Sequence, residues 1–197
     1  TWGALVFDNC HYIKVSGNGV DSIHNGFSLR GETAGLAFNS YCSNCEAEFL
    51  EIHDNGFFGI VAKKDFSGTP PAPYPQFTNL ILHDNYIHHQ SEGIYVGETI
   101  SPGMEFRHVR IFNNVITDCI REAIQVANCV EDIELYNNYC ANTGIGGLLY
   151  QEGSFQIGDN TVGRYYNNII MNCPGIAIPL LGSGDIELFE NYVANTG

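Results

Sequence analysis

Only eight of the 197 residues are lysine or arginine, against 22 aspartates and glutamates. Three of those cations share one setting. Arg30 closes the phrase GFSLR and Lys63 closes GIVAK, each at the same interval after a glycine that opens an alternating apolar run, and Lys64 follows directly. The next phrase of this kind, GIYVGE, carries Tyr95 and Glu98; AIQVAN carries Gln125; GLLYQE ends on Gln151 and Glu152. Glu32 and Asp65 lie beside the cations in the chain. In a polypeptide of formal net charge −14 this grouping is a local exception. An ammonium or guanidinium placed here can neutralise an anionic group, and Lys, Arg or Tyr can take and return a proton. The acidic neighbours could hold Ca²⁺ through oxygen ligands. An exposed patch of salt bridges would use the same residues.

For these side chains to meet, the phrases that carry them must stack, and the sequence supplies the stacking unit. One motif recurs: FLEIHDNGF, LILHDNYI, VRIFNNVI, IELYNNYC, GRYYNNII and IELFENYV, with a weaker copy, IKVSGNGV. Aligned on their shared asparagine, the copies place Asn18, Asn55, Asn85, Asn114, Asn138, Asn168 and Asn191 in one column. Repeats of this length mark a solenoid whose length variation is confined to turns. Apolar residues five and three places before the asparagine, such as Val109 and Ile111, have the period of a half-buried strand. Another apolar residue returns two places after it, so the chain turns a corner at the asparagine. A third strand follows, led by Gly26, Gly59, Gly93, Ala123, Gly147 or Gly175. The pattern predicts an all-β, right-handed parallel β-helix solenoid with three strands per coil, about seven coils and an inward asparagine ladder. A single domain over residues 1–197 is expected, and because both ends stop within the repeat, it reads as part of a longer chain lacking both caps, with other domains or chains at the uncapped ends.

These phrases resemble the pectate-lyase-like parallel β-helices, whose coils carry I-x-I-x-N-N-x-I followed by G-I-x-V. The stretches EAIQVANCVEDIELYNNYCANTG and VGRYYNNIIMNCPGIAIPLLGSG look closest to repeat proteins secreted to the cell surface by Bacteroidota. The resemblance implies a secreted or surface-exposed protein that interacts with polysaccharide, as a glycan binder or as a lyase on acidic polysaccharide. It places substrate along the sheet of third strands. On that reading Arg30, Lys63 and Tyr95 are the catalytic candidates, and Lys64, Glu98, Gln125, Gln151, Glu152 and Tyr74 are the substrate-binding ones. Tyr74 and Phe77 belong to the proline-rich loop from Asp65 to Thr78, which would either form a sugar-stacking rim or pack on its own solenoid. The alternative function is a non-enzymatic adhesin or stalk, since one solenoid serves many activities.

Other features narrow the range. The acidic balance repels nucleic acid and anionic membranes, and no apolar run is long enough to span a bilayer. Seven cysteines include one C-x-x-C, Cys42 and Cys45, which suits a local disulfide or small buried hydrophobes better than a zinc site. The histidines show no convergent spacing. An outward stripe of His53, His83, Phe112, Tyr136, Tyr166 and Phe189 is expected to stack and could bind glycan, flanked by Arg110, Glu134, Arg164 and Glu187 in alternating sign. No nucleophile elbow, phosphate loop or carboxylate pair for glycoside hydrolysis is apparent.

Overall fold

The computed structural model describes residues 3–18, 25–31, 33–64, 72–99, 103–182 and 184–197. All regular elements among them are strands, and they form three parallel sheets of seven, seven and six strands. Each sheet takes one strand from each successive coil, the arrangement of a parallel β-helix.

The first sheet contains His11–Ser16, Ser43–Glu48, Gln76–His83, Glu105–Phe112, Cys129–Tyr136, Gly163–Tyr166 and Ile186–Phe189. After a corner, the second takes Phe27–Leu29, Leu50–His53, Tyr86–His88, Val115–Cys119, Tyr139–Thr143, Ile169–Cys173 and Tyr192–Thr196. The third is built from Leu5–Asp8, Ala34–Asn39, Phe58–Lys63, Glu92–Gly97, Ile124–Ala127 and Phe155–Ile157. Inward residues from all three fill one apolar core: Leu80, Val109 and Ile133 from the first sheet, Ile87 and Ile116 from the second, Ile60, Ile94 and Ile124 from the third. All seven cysteines are free thiols, and all but Cys10 are buried, so the disulfide alternative gives way to the buried hydrophobe. Cys45 hydrogen-bonds the Cys42 thiol and pulls it down to about 7, while its own thiol is pushed up by the same contact and by burial.

The corners explain the asparagines. Between first and second sheets, Asp84, Asn113, Asn137 and Asn167 adopt positive φ of 53° to 56°, a region that Asn and Asp enter more readily than other side chains. The next residue turns inward. Asn114 Nδ2 donates to Asn138 Oδ1 at 3.0 Å, Asn138 Nδ2 to Asn168 Oδ1 at 3.0 Å, and each backbone N–H reaches the same acceptor. Asn85 and Asn191 extend the ladder at its two ends.

Two members assigned from sequence lie elsewhere. Leu50–His53 pairs with Tyr86–His88 in the second sheet, with Ile52 opposite Ile87. Leu50 therefore holds the ladder corner of its coil, its N–H donating to Asn85 Oδ1 at 3.1 Å, and Asn55 turns inward at the next corner, where its amide donates to the Leu29 carbonyl. The physical reason is that both corners have the same local need: Asp54, at φ 52°, turns the second corner as Asp84, at φ 53°, turns the first. Asn18 is exposed and donates its N–H to Ser16 Oγ.

The third strands shift too. Phe27–Leu29, after Gly26, belongs to the second sheet, and the third strand of that coil is Ala34–Asn39. The segment after Gly147 is a turn in which Gln151 N–H donates to the Leu148 carbonyl, and the strand comes later as Phe155–Ile157. After Gly175 there is a single bridge, Ile157 to Leu180.

Candidate functional site

Register along the third sheet fixes which outward side chains are neighbours. Val6, Ala37, Val61, Tyr95, Gln125 and Gln156 form its central column. Asp8, Asn39 and Lys63 share the next column, which continues as Gly97 and Ala127. Upstream of the centre, Ala34 lies opposite Phe58 and Phe58 opposite Glu92. Ile94 pairs with Ile124 and Gly93 N–H donates to the Glu122 carbonyl at 3.1 Å, so Glu122 succeeds Glu92 in this column.

These side chains point away from the solenoid core; Val6 and Asp8 on the first coil are exposed, whereas the centre of the face, from Ala34 and Ala37 to Gln156, is largely covered. Ala34, Ala37, Val61 and Tyr95 make a second apolar cluster, with Phe58 packed on it. Lys63 Nζ sits 5.0 Å from the Tyr95 ring centroid and the Phe58 ring 5.7 Å from it. Gln125 and Gln156 are buried in the same face. One edge holds Phe57 and Arg121, whose guanidinium lies 4.6 Å over the Phe57 ring.

Glu92 and Glu122 are 3% and 0% exposed. Among the described residues, Glu92 Oε1, both carboxylate oxygens of Glu122 and Arg121 Nε lack a hydrogen-bond partner. Burial pushes the Glu92 carboxyl up to about 8, the neighbouring Glu122 charge adds to the rise, and Arg121 and Lys63 oppose it. Burial raises Glu122 as well, against the pull of its own backbone and of Arg121. Side by side on adjacent coils, two such carboxyls resist being charged together.

Of the residues expected from sequence, Lys63, Tyr95 and Gln125 meet on this face, and Lys64 follows at its edge, half-buried. Glu98 continues the strand Glu92–Gly97, but its carboxylate accepts the Met104 N–H at 3.2 Å and thereby closes a loop. Arg30 is not there. It follows Phe27–Leu29 in the second sheet, where Leu29 lies opposite Ile52, so its neighbour column is that of His53. Glu152 packs its backbone against Gly144, whose N–H donates to the Arg121 carbonyl at 2.8 Å, and so lies at the rim. Glu152 also lines a cleft of about 250 Å³ with Leu149, Tyr150, Ile176, Pro179 and Leu181. Gln151 is half-buried in the turn before it, outside the central column, and Gln156 stands in its place. Tyr74 is half-buried, whereas Phe77 is fully buried, stacked on Phe106 at 5.2 Å inside the core, so it forms no rim. Glu32, Asp65, Phe66, Pro70 and Pro71 lie outside the described residues.

The residues missed from sequence are Glu92, Glu122 and Arg121. Their signal was present: in SEGIYV and REAIQV a glutamate directly precedes the aligned Gly93 or Ala123 on two successive coils.

The other faces carry order of a different kind. His83, Phe112, Tyr136, Tyr166 and Phe189 stack at centroid spacings of 4.7 to 5.1 Å with planes within 7° of parallel. Ring faces are thus spent on one another and only edges meet solvent, which removes the platform a sugar would stack on. His53 stacks instead on His88 at 5.1 Å in the second sheet. The histidines therefore do converge: His88 Nδ1 meets His89 Nδ1 at 2.7 Å and His88 Nε2 meets Glu51 at 3.4 Å. Beside the ring stack, Arg164 bridges Glu134 and Glu187 at 3.2 and 3.5 Å, as the alternating charges require. Among the described residues, one trio has metal-ligand geometry, Glu46, Glu48 and His83 on the first sheet. Lys14 already sits 2.9 and 2.8 Å from the two glutamates. It gives no support to Ca²⁺ on the third sheet.

The chain superposes on the crystal structure of an alginate lyase from Paenibacillus sp. str. FPU-7 with a TM-score of 0.50, covering 99% of this chain and 79% of that one at 13% identity. The shared feature is the parallel β-helix fold. At this identity the likeness concerns fold alone. No family model and no curated protein matches the sequence. Among the described residues no helix is long and apolar enough to cross a membrane.

Proposed function

We propose that this chain handles an acidic polysaccharide along the outer face of its third sheet, binding uronate carboxylates and cleaving the chain by a lyase-type β-elimination outside the cell. The observation that carries this reading is the placement of Lys63 over Tyr95 with Glu92, Glu122 and Arg121 alongside: cations beside buried acid groups on one face of a β-helix. In so acidic a protein, a polyanion needs a local positive contact to bind at all. Lys63 supplies it, held in place by the Tyr95 ring through a cation–π contact. Arg121, half-buried over Phe57, is the second cation within reach of the pair. Neutralising the uronate carboxylate also makes its neighbouring C5 proton more acidic, which is the barrier a lyase must lower. Glu152 and the apolar cleft beside it extend the face toward further sugar units. The scaffold shared with an alginate lyase supports a polyuronate as the substrate class.

The test is retention in native gels containing alginate, glucuronan or polygalacturonate, run beside an assay for unsaturated uronate by ultraviolet absorbance. Wild type should be retarded by at least one polymer, and Lys63→Ala should lose that retardation while keeping its urea midpoint. Absence of retardation and of product across all polymers would defeat the reading.

A further inference from the structure

A hydroxyl, an imidazole and a carboxylate meet on the outer face of the second sheet. Phe27–Leu29 and Leu50–His53 are neighbouring strands there, with Ser28 opposite Glu51 and Leu29 opposite Ile52. Ser28 and His53 therefore lie on a diagonal between adjacent coils, and Ser28 Oγ stands 3.1 Å from His53 Nε2. The other ring nitrogen, His53 Nδ1, lies 2.8 Å from Asp54 Oδ2. Asp54 is placed by the second corner, which it turns at φ 52°. The His53 ring lies against that of His88, centroids 5.1 Å apart and planes 1° from parallel, and His88 is itself stacked on Tyr86 at 4.3 Å. Ser28 and Asp54 are exposed and His53 is half-buried, so a large molecule can reach the hydroxyl.

The charges decide where the protons sit. The hydrogen bond from His53 holds the Asp54 carboxyl below its ordinary value, and the nearby His89 and His88 act in the same sense. An ionised carboxylate only accepts, so His53 Nδ1 carries the hydrogen and donates it to Asp54. In the neutral ring Nε2 is then a lone pair, and it accepts the Ser28 O–H. Hydroxyl, base and orienting carboxylate stand in the order that nucleophilic catalysis needs. Exposure alternates along the chain, with Ser28 exposed, Leu29 buried and Arg30 exposed, so Arg30 rises from the same face as Ser28. Its guanidinium supplies donors to an oxygen that becomes negative beside that hydroxyl.

We propose that Ser28, His53 and Asp54 are a nucleophilic triad that hydrolyses short acyl esters of sugar hydroxyls, an activity separate from that of the third sheet. Ser28 Oγ attacks the ester carbonyl carbon while its proton passes to His53 Nε2, and the charge on the tetrahedral oxygen develops beside Arg30. The C–O bond to the sugar breaks and the sugar oxygen takes the proton from His53, leaving Ser28 acylated. Water then attacks the acyl carbon, its proton passes through His53 Nε2 to Ser28 Oγ, and the free acid departs. Asp54 stays ionised throughout and steadies the imidazolium. The substrate class follows from the setting. The hydroxyl stands on an open face with Arg30 and Glu51 beside it, which suits a short acyl group presented outward by a polymer; a fatty chain needs an apolar channel.

The full chain is assayed with p-nitrophenyl acetate and with acetylated xylan for release of acetate. It is also treated with diisopropyl fluorophosphate, whose phosphorus an activated serine attacks with loss of fluoride, and mass spectrometry of the peptides locates the adduct. Wild type should release acetate from both esters and carry a single adduct, on Ser28. Ser28→Ala should lose the adduct, and Ser28→Ala and His53→Gln should each lower kcat about 10²-fold or more. Asp54→Asn is the sharper variant. Asparagine also enters the positive φ of this corner, so the urea midpoint should stay near that of wild type, but its uncharged amide no longer steadies the imidazolium, and kcat should fall by a similar factor. Full hydrolysis in Ser28→Ala, an adduct that forms as fast in His53→Gln or Asp54→Asn as in wild type, or a wild type with neither adduct on Ser28 nor release of acetate would each overturn the triad.

Discussion

Glu92→Gln replaces a carboxyl by an amide of the same shape, and its effect on stability can be worked from the site. In the fold this carboxyl is raised from 4.5 to about 8. At about 1.4 kcal/mol per tenfold change in proton affinity, ionising Glu92 costs on the order of 5 kcal/mol more in the folded protein than in the unfolded chain. Glu92 is almost wholly covered, so solvent screens little of this. The sign follows from which state holds the proton. Below about pH 4.5 both states are protonated and the native advantage is fully present. As pH rises, the unfolded chain ionises while the fold keeps its proton, and stability falls by up to about 1.4 kcal/mol per pH unit until Glu92 itself ionises near 8. Urea unfolding of wild type and Glu92→Gln from pH 5 to pH 9 should therefore diverge. The two should be close at pH 5, and the variant should be the more stable by several kcal/mol at pH 9. Taking the difference between the proteins cancels every group that titrates alike in both. Stability curves that run parallel across this range would refute the claim that the fold holds Glu92 protonated.

Other expectations bear on the scaffold. Asn138→Ala removes an amide that accepts from Asn114 and donates to the Ile111 carbonyl and to Asn168; it should lower unfolding free energy by about 3 kcal/mol or more in urea titration. Gly97→Ala places a methyl where the Ala127 carbonyl oxygen would lie 1.7 Å away, at φ +110°, and should leave little folded protein by circular dichroism. His83 is buried enough to disfavour charge, yet its bonds to Asp84 and Glu46 outweigh burial and raise it above 6.5. Its contribution is present below about pH 6.5 and lost as pH rises through the higher folded value, so His83→Asn should destabilise at pH 6 more than at pH 9 in the same urea assay.

Fold class was legible because a solenoid writes its period into the chain: alternating apolar residues specify strands, and Asn or Asp at the corners satisfies positive φ in coil after coil. Register was harder, for the same reason. The sequence IHDN around Asn55 answers the needs of the second corner as LHDN around Asn85 answers those of the first, and only pairing of Ile52 with Ile87 separates them. A separate slip carried Arg30 onto the third sheet: GFSL after Gly26 reads like the GIVA and GIYV of the third strands, yet Phe27–Leu29 pairs in the second. Lys63, Tyr95 and Gln125 fall on one face because the coils containing them carry the matching phrases GIVA, GIYV and AIQV in one register. Glu92 and Glu122 were visible as a repeated glutamate before that phrase. Their importance was not, because it depends on how completely the face is covered, which no local pattern encodes.

The asparagine ladder has a direction: from Leu50 through Asn85, Asn114, Asn138 and Asn168 to Asn191, every backbone N–H donates to the side-chain oxygen of the next coil's asparagine, and each side-chain amide that reaches back does so to a backbone carbonyl. Each junction between coils is consequently the same chemical joint, a donor below meeting an identical acceptor above. A lineage can then duplicate or excise a whole coil without redesigning the contacts on either side, whereas reversing a single amide would spoil the joints above and below it. Such a scaffold grows in quanta of one coil. A column of outward side chains on its third sheet can be lengthened, shortened or moved along the axis by gene rearrangement, its geometry conserved while its position changes.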